Sequence, residues 1–249
     1  RYCTFVPWNW YFLKIILNTS TFFCEAKTFV TIGTFDGVHF GHQKIIERVV
    51  SEAKIAQKKS VALTFFPHPR MVLQKDSSVK LINTIDERSA LLEKTGLDYL
   101  IIHPFSKEFS RMTALEFVKD ILVNQLNISK LIIGYDHHFG KNREGNINQL
   151  TEYSDLYDFK LTEIPAQDID EVFVSSTKIR NALNAGDLKT ANHYLRYFFM
   201  LSGTVVNGEK LGGKIGYPTA NIHIEETYKL IPKNGVYVVR SYFENNAVF

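Results

Sequence analysis

From residue 29 to residue 164 the chain alternates short apolar runs with longer segments whose apolar residues recur at helical spacing. This alternation constrains the fold more than any other feature. Phe29 to Ile32, Val61 to Phe66, Tyr99 to Ile102, Lys130 to Ile133 and Lys160 to Ile164 read as strands. Between the first two, Ile45, Ile46, Val49, Val50, Ala53 and Ala56 form one stripe of a helix. Thr84 with Glu87 is a capping-box pattern that opens a second helix, which Gly96 can close. Thr113 with Glu116 repeats the pattern before Phe117 to Leu126, and a short helix is expected near Ile147 to Ser154. Strands joined through helices imply right-handed crossovers and a parallel sheet covered on both faces. Ligands of such sheets sit beyond the carboxyl ends of the strands. That rule puts "TIGTFDGVHFGH", Thr31 to His42, on the binding edge.

Composition narrows the partners. At 249 residues, 45% hydrophobic, the chain can bury a large core and is long enough for one large and one small domain. The net charge of +3 is spread over 29 basic and 26 acidic side chains without a block of like charge. Neither a nucleic acid nor a membrane surface is therefore expected as a partner, and no obligate protein partner is evident. Cys3 and Cys24 stand at no metal or redox spacing, which favours a reducing cytoplasm. Residues 1–27 hold both tryptophans and both cysteines, and Lys14 interrupts their apolar run. They read as an atypical extension packed on the surface, with neither a membrane span nor a signal peptide.

The stretch Thr31 to His42 carries Gly33, Gly37 and Gly41 together with His39 and His42. Glycines let the backbone pass close to a ligand, and the free N–H groups at the start of the following helix make an anion site. Two imidazoles beside it can hydrogen-bond a phosphate and stabilise the charge that develops when it is attacked. Phosphoryl or nucleotidyl transfer suits these residues. Two other readings stay open: a histidine satisfied within the core, or a zinc site assembled with His68, His137 or His138.

"GTFDGVHFGH" resembles the H-x-G-H signature of the nucleotidyltransferase superfamily, and "VSSTKIR", Val174 to Arg180, its second signature. "TFFPHPR", Thr64 to Arg70, and "GYDHHFGKNREG", Gly134 to Gly145, resemble loops of the prokaryotic bifunctional riboflavin kinase/FMN adenylyltransferases, the FAD synthetases. That family usually carries an aromatic residue where His137 stands. "GTVVNGEKLGGKIGYPTANI", Gly203 to Ile222, resembles the opening of the flavokinase barrel. Gly208 to Lys214 also satisfies G-x-x-x-x-G-K, but Ile215 follows where a P-loop needs Ser or Thr, and "GYPTAN" opens no helix.

The resemblance implies an α/β fold: a Rossmann-like nucleotidyltransferase parallel sheet with helices on both faces, followed by an incomplete flavokinase-like β-barrel. The implied division is an extension at 1–27, an FMN adenylyltransferase domain at 28–184, a helical linker at 185–200 around Asp187 to Arg196, and a partial riboflavin kinase domain at 201–249. The implied reaction is ATP plus FMN giving FAD and pyrophosphate, with magnesium as cofactor and riboflavin as a further substrate of the family. By resemblance, His39, His42, Ser176, Thr177 and Arg180 are catalytic; Gly33, Thr34, Phe35, Asp36 and Gly41 hold ATP. Pro67, His68, Asp136 and Arg143 line the flavin side, and Thr219 and Asn221 bind the magnesium of the kinase part. The family's glutamate base and further strands lie past the residues given, so riboflavin kinase activity is expected to be absent from this chain. A cytidylyltransferase-like enzyme and a non-catalytic flavin-binding module are the alternatives.

Overall fold

The structure is a computed structural model and describes residues 13–73, 79–135, 139–141, 144–165, 174–208, 216, 219–243 and 246–248. Six parallel strands form its centre: β1 (Lys14–Ile16), β2 (Thr28–Ile32), β3 (Lys59–Phe66), β4 (Tyr99–Pro104), β5 (Ile128–Gly134) and β6 (Lys160–Ile164). Their spatial order is β1-β4-β3-β2-β5-β6. The register sets Val30 opposite both Val61 and Leu131, so these three share one face of the sheet. That face packs against Phe117, Val118, Ile121 and Leu122, whereas Ala62, Leu100 and Ile102 on the other face pack against Ile46 and Leu92. Apolar side chains on both faces are what a parallel sheet requires, since its crossovers cover both sides.

The helices follow their sequence signals. In α1 (Phe40–Ile55), Ile46, Val49 and Ala53 are buried, and the expected stripe ends at Ala56, which is the C-cap. After α2 (Pro69–Leu73) comes α3 (Ile85–Glu93), opened by a complete Thr84–Glu87 capping box. Gly96, just past its end, has φ +78°. The Thr113–Glu116 box opens α4 (Ala114–Glu116), which widens into a π-helical stretch, Phe117–Gln125. There Leu126 N donates to Ile121 O at 2.9 Å, five residues back. Next come α5 (Ile147–Leu156), α6 (Ser176–Ala185) and α7 (Leu188–Leu195). The last lies between the caps Asp187 and Arg196, where the linker helix was expected.

One expectation differs from the structure. The segment before residue 28 is not a surface appendage throughout: Lys14–Ile16 joins the sheet beside β4, and Phe22 enters the core against the edge of Tyr99. Its apolar residues pair an otherwise open sheet edge, which periodicity in so short a run does not signal. The C-terminal strands form two separate antiparallel ladders, β7 (Thr204–Val206) with β8 (Asn221–His223), and β9 (Ser241–Phe243) with β10 (Asn246–Val248). Among the described residues these ladders close no barrel.

Candidate active site

Strand order decides where a ligand can enter. From β2 the chain builds outward through β3 to β4, then returns to lay β5 against the other side of β2. The carboxyl ends of β2 and β5 therefore flank the switch point, where open α/β sheets form their crevice. The turn leaving β2 passes through Gly33 to His39 and enters α1. Three of its residues lie in the left-handed region, Phe35 (φ 47°), Gly37 (φ 87°) and Val38 (φ 36°). For a β-branched valine that conformation is strained and persists only where the surroundings over-determine it. They do so here. Phe35 and Val38 are both buried in the core beside α1. The turn's carbonyls are held from outside: Ser176 Oγ donates to Asp36 O at 2.9 Å, Tyr197 Oη to Gly37 O at 2.6 Å, and Gln43 Nε2 to Val38 O at 2.7 Å. A Cβ on Gly37 would stand 2.9 Å from Ile82 Cδ1.

This turn brings the two histidines together. Their rings stack at 3.7 Å between centroids, 20° from parallel, with Phe35 edge-on to His42 at 5.4 Å. Nδ1 of each is buried without a hydrogen-bond partner. Burial pushes the pKa of His39 down to about 4, against the opposing pull of Asp36; burial also holds His42 well below the usual range, helped by His39 and Arg88. Both rings are thus neutral at pH 7. His39 is also the N-cap of α1 but its side chain makes no capping bond, which leaves the first-turn amides to another acceptor.

Beneath the turn lies a buried charge cluster. Asp36 is wholly buried; its Oδ1 accepts from Ile82 N at 2.9 Å and Asn83 N at 3.3 Å, and its Oδ2 accepts from Arg180 Nη2 at 2.5 Å. Arg180 also donates Nε to Lys80 O at 3.0 Å. Arg88, almost wholly buried, brings Nη2 to 3.9 Å from Asp36 Oδ1 while its Nε has no partner. Two guanidinium groups around one carboxylate leave the cluster with one net positive charge. His68, at the corner after β3, is buried with its Nδ1 accepting from Arg70 N at 3.1 Å. Burial sets its pKa at about 4, and the charges of Asp36, Arg180 and Arg88 act on it, so this corner faces the same centre.

The sequence-derived residues distribute as follows. Gly33 to Asp36, His39, Gly41 and His42 form the turn and the start of α1, while Ser176 and Arg180 reach it from α6. Ser175, not Ser176, is the α6 N-cap, and Thr177 is exposed on the first turn. Pro67 is exposed beside His68. Thr219 and Asn221 stand by the β7–β8 ladder, in a different sheet. Asp136 and Arg143 lie outside the described residues, as do His137 and His138. Among the described residues no three His, Cys, Asp or Glu side chains cluster as a metal site. Arg88 and Tyr197 were missed because an arginine in "IDERSALLE" reads as a solvated helical charge, and no pattern marks a tyrosine after a linker helix as a buried donor. Also missed was an aromatic wall at the carboxyl ends of β3 and β4, where Phe65, Phe105 and Phe109 lie within 5.8 Å of one another between ring centroids. Its signal was the density of phenylalanines at and just beyond the ends of those strands.

The FAD synthetase family profile matches residues 23–178, and the riboflavin kinase profile matches residues 195–249. The bifunctional riboflavin kinase/FMN adenylyltransferase of Listeria monocytogenes is 36% identical over 217 residues, 87% of this chain and 68% of the relative. That of Buchnera aphidicola subsp. Schizaphis graminum is 38% identical, covering 87% and 69%. A crystal structure described as a macrolide-efflux protein from Streptococcus pneumoniae superposes with a TM-score of 0.83 at 28% identity, covering 94% of this chain and 75% of that one. No described helix of the present chain is long and apolar enough to cross a membrane. Since the first profile spans β2 to β6 with the turn and the start of α6, and relatives above 30% identity extend over most of both chains, the chain belongs to the family of bifunctional riboflavin kinase/FMN adenylyltransferases.

Proposed function

We propose that this chain transfers the AMP moiety of ATP to FMN, giving FAD and pyrophosphate. The observation that carries the reading is the stacked pair of neutral histidines at the switch point, His39 buried and His42 half-buried, with the Nδ1 atom of each buried and unpartnered, beside the open N-terminus of α1. In the reaction an FMN phosphate oxygen attacks the α-phosphorus in line, the bond to the bridging oxygen of the β-phosphate breaks, and its electron pair leaves with pyrophosphate. No covalent enzyme intermediate is needed, so catalysis consists of positioning and charge stabilisation. Neutral imidazoles donate N–H to phosphate oxygens without a proton equilibrium near pH 7. The net positive cluster of Asp36, Arg88 and Arg180 supplies the field. In this reading Ser176 and Arg180 bring α6 onto the phosphates, and the backbone of Gly33 to Phe35, with Gly41, borders the nucleotide. The Asp36 carboxylate acts as the strut that orients Arg180. His68 and Pro67, with Asp136, Arg143 and the wall of Phe65, Phe105 and Phe109, would line the flavin. Magnesium would enter with ATP as the counter-ion of its triphosphate.

The domains follow the same reading: a transferase unit through residue 184 that includes β1, the linker at 185–200, and a riboflavin kinase unit at 201–249. Thr219 and Asn221 offer hard oxygen donors of the kind magnesium prefers, and would hold it there to neutralise phosphate charge. The match over 195–249 favours riboflavin phosphorylation as a second activity.

Incubating the purified chain with FMN, ATP and magnesium should yield FAD and pyrophosphate, separated by chromatography. FMN binding without pyrophosphate would mean a non-catalytic flavin module, and turnover with CTP in place of ATP would mean a cytidylyltransferase. Riboflavin offered with ATP decides between kinase activity and the loss expected from the sequence.

A further inference from the structure

One buried cation has no part in the chemistry above. Lys229 belongs to the segment matched to riboflavin kinase, yet its side chain is fully buried against the transferase unit. Its Nζ donates to Glu87 Oε2 at 2.5 Å and to Ile82 O at 2.6 Å, and stands 4.6 Å from the Phe199 ring. Glu87 Oε2 also accepts from Thr84 N at 3.1 Å, and Oε1 accepts from Ser202 N at 3.0 Å. One carboxylate therefore gathers the start of α3, the stretch before β7 and Lys229. The backbone reinforces the junction: Leu81 N donates to Tyr228 O and Leu230 N to Leu81 O, both at 2.7 Å. Leu230 packs with Ile82, Ile179, Leu183 and Leu195. The next amides along, Ile82 N and Asn83 N, are the donors that hold Asp36 Oδ1, and Asp36 holds Arg180.

A buried ion pair adds little net stability compared with an apolar pair of similar volume. What Lys229 supplies is direction, since it fixes a carbonyl and a carboxylate on either side of one turn. We infer that Lys229 is a positioning residue for adenylyl transfer, acting through the 81–84 turn to set Asp36 and, through Asp36, the Arg180 guanidinium. The inference deepens the proposed function and rests on it. It makes a residue of the kinase-matched segment part of the scaffold of the transferase site.

The test is Lys229→Met in the full chain, which keeps length and removes the ammonium. With circular dichroism unchanged, the KM for ATP should rise about tenfold while the KM for FMN stays within about twofold, the range of coupling through a packed network. Amide exchange should accelerate at Ile82 and Asn83 but not in β3. An unchanged KM for ATP with unchanged protection of those amides would overturn the inference, as would acceleration spread evenly over all strands, which is mere destabilisation. If Lys229→Met does not fold, Glu87→Gln, which keeps a capping side chain and removes the ion pair, is read against the same outcomes. Should the wild-type chain make no FAD, the proposed function fails, and the local exchange comparison still decides whether Lys229 sets the turn.

Discussion

His39 and His42 owe their character to burial, and their behaviour with pH follows from it. An imidazole ordinarily titrates at 6.5, whereas His39 and His68 are each lowered to about 4 in the folded chain, first by burial. Between these values the unfolded chain binds protons that the folded one refuses, so stability rises with pH across the window and falls as pH drops from 6.5 toward 4. The thermal midpoint should therefore decline over that interval, and His68→Gln should decline less steeply; equal slopes would remove the imidazole as the cause. For the reaction, His42→Ala should cut FAD formation by about 10²-fold or more, the scale of one preorganised donor. The variant should stay folded and lose only the ring's stacking on His39 and Phe35 from its melting point, because Nδ1 makes no hydrogen bond in the fold. A variant that unfolds would make His42 a core histidine. The pairing of these rings was legible in the spacing H-x-x-H at a strand-to-helix junction. Their neutrality was not, because it depends on what packs around them.

At the scale of elements, the meeting of the β2–α1 turn with α6 is made by Asp36. Replacing it by Asn leaves Arg88 and Arg180 facing one another without a carboxylate, and removing one partner of a buried charge group costs about 3–5 kcal/mol. Urea unfolding should register that loss. Arg180→Lys keeps the charge but cannot hold both Asp36 and the Lys80 carbonyl with one planar group. ATP affinity should fall about tenfold, a loss of roughly 1.4 kcal/mol. A variant equal to wild type in ATP binding and turnover would reduce Arg180 to a structural tie. Gly37→Ala forces a side chain into φ +87° against Ile82 and should cost at least about 1–2 kcal/mol by thermal melting. Strands and capping boxes were readable because hydrogen-bond chemistry and periodicity are local. The π-helical continuation of α4 and the buried side of α3, where Glu87, Arg88 and Ser89 all face inward, were not. Polar residues on a short helix look solvated until their partners are known.

For the whole molecule, the two family-matched parts share a small core in which Ile82 packs with Leu230 and with Leu195 of α7. Calorimetry should accordingly show one unfolding transition for both, with calorimetric and van't Hoff enthalpies equal; two resolved transitions would show that the junction does not couple them. The sequence by itself determined the parallel α/β sheet, the residues of the turn after β2 and the helix at Leu188–Leu195. Each of these is written in local periodicity, caps and glycine placement. Only the tertiary structure decided that Lys14–Ile16 completes the sheet, that Asp36 serves two arginines from inside, and that Lys229 reaches Glu87 and Ile82. Those facts depend on side chains far apart in sequence sharing one dry interior, where an unpaired charge is too costly to leave, and no window along the chain contains both partners.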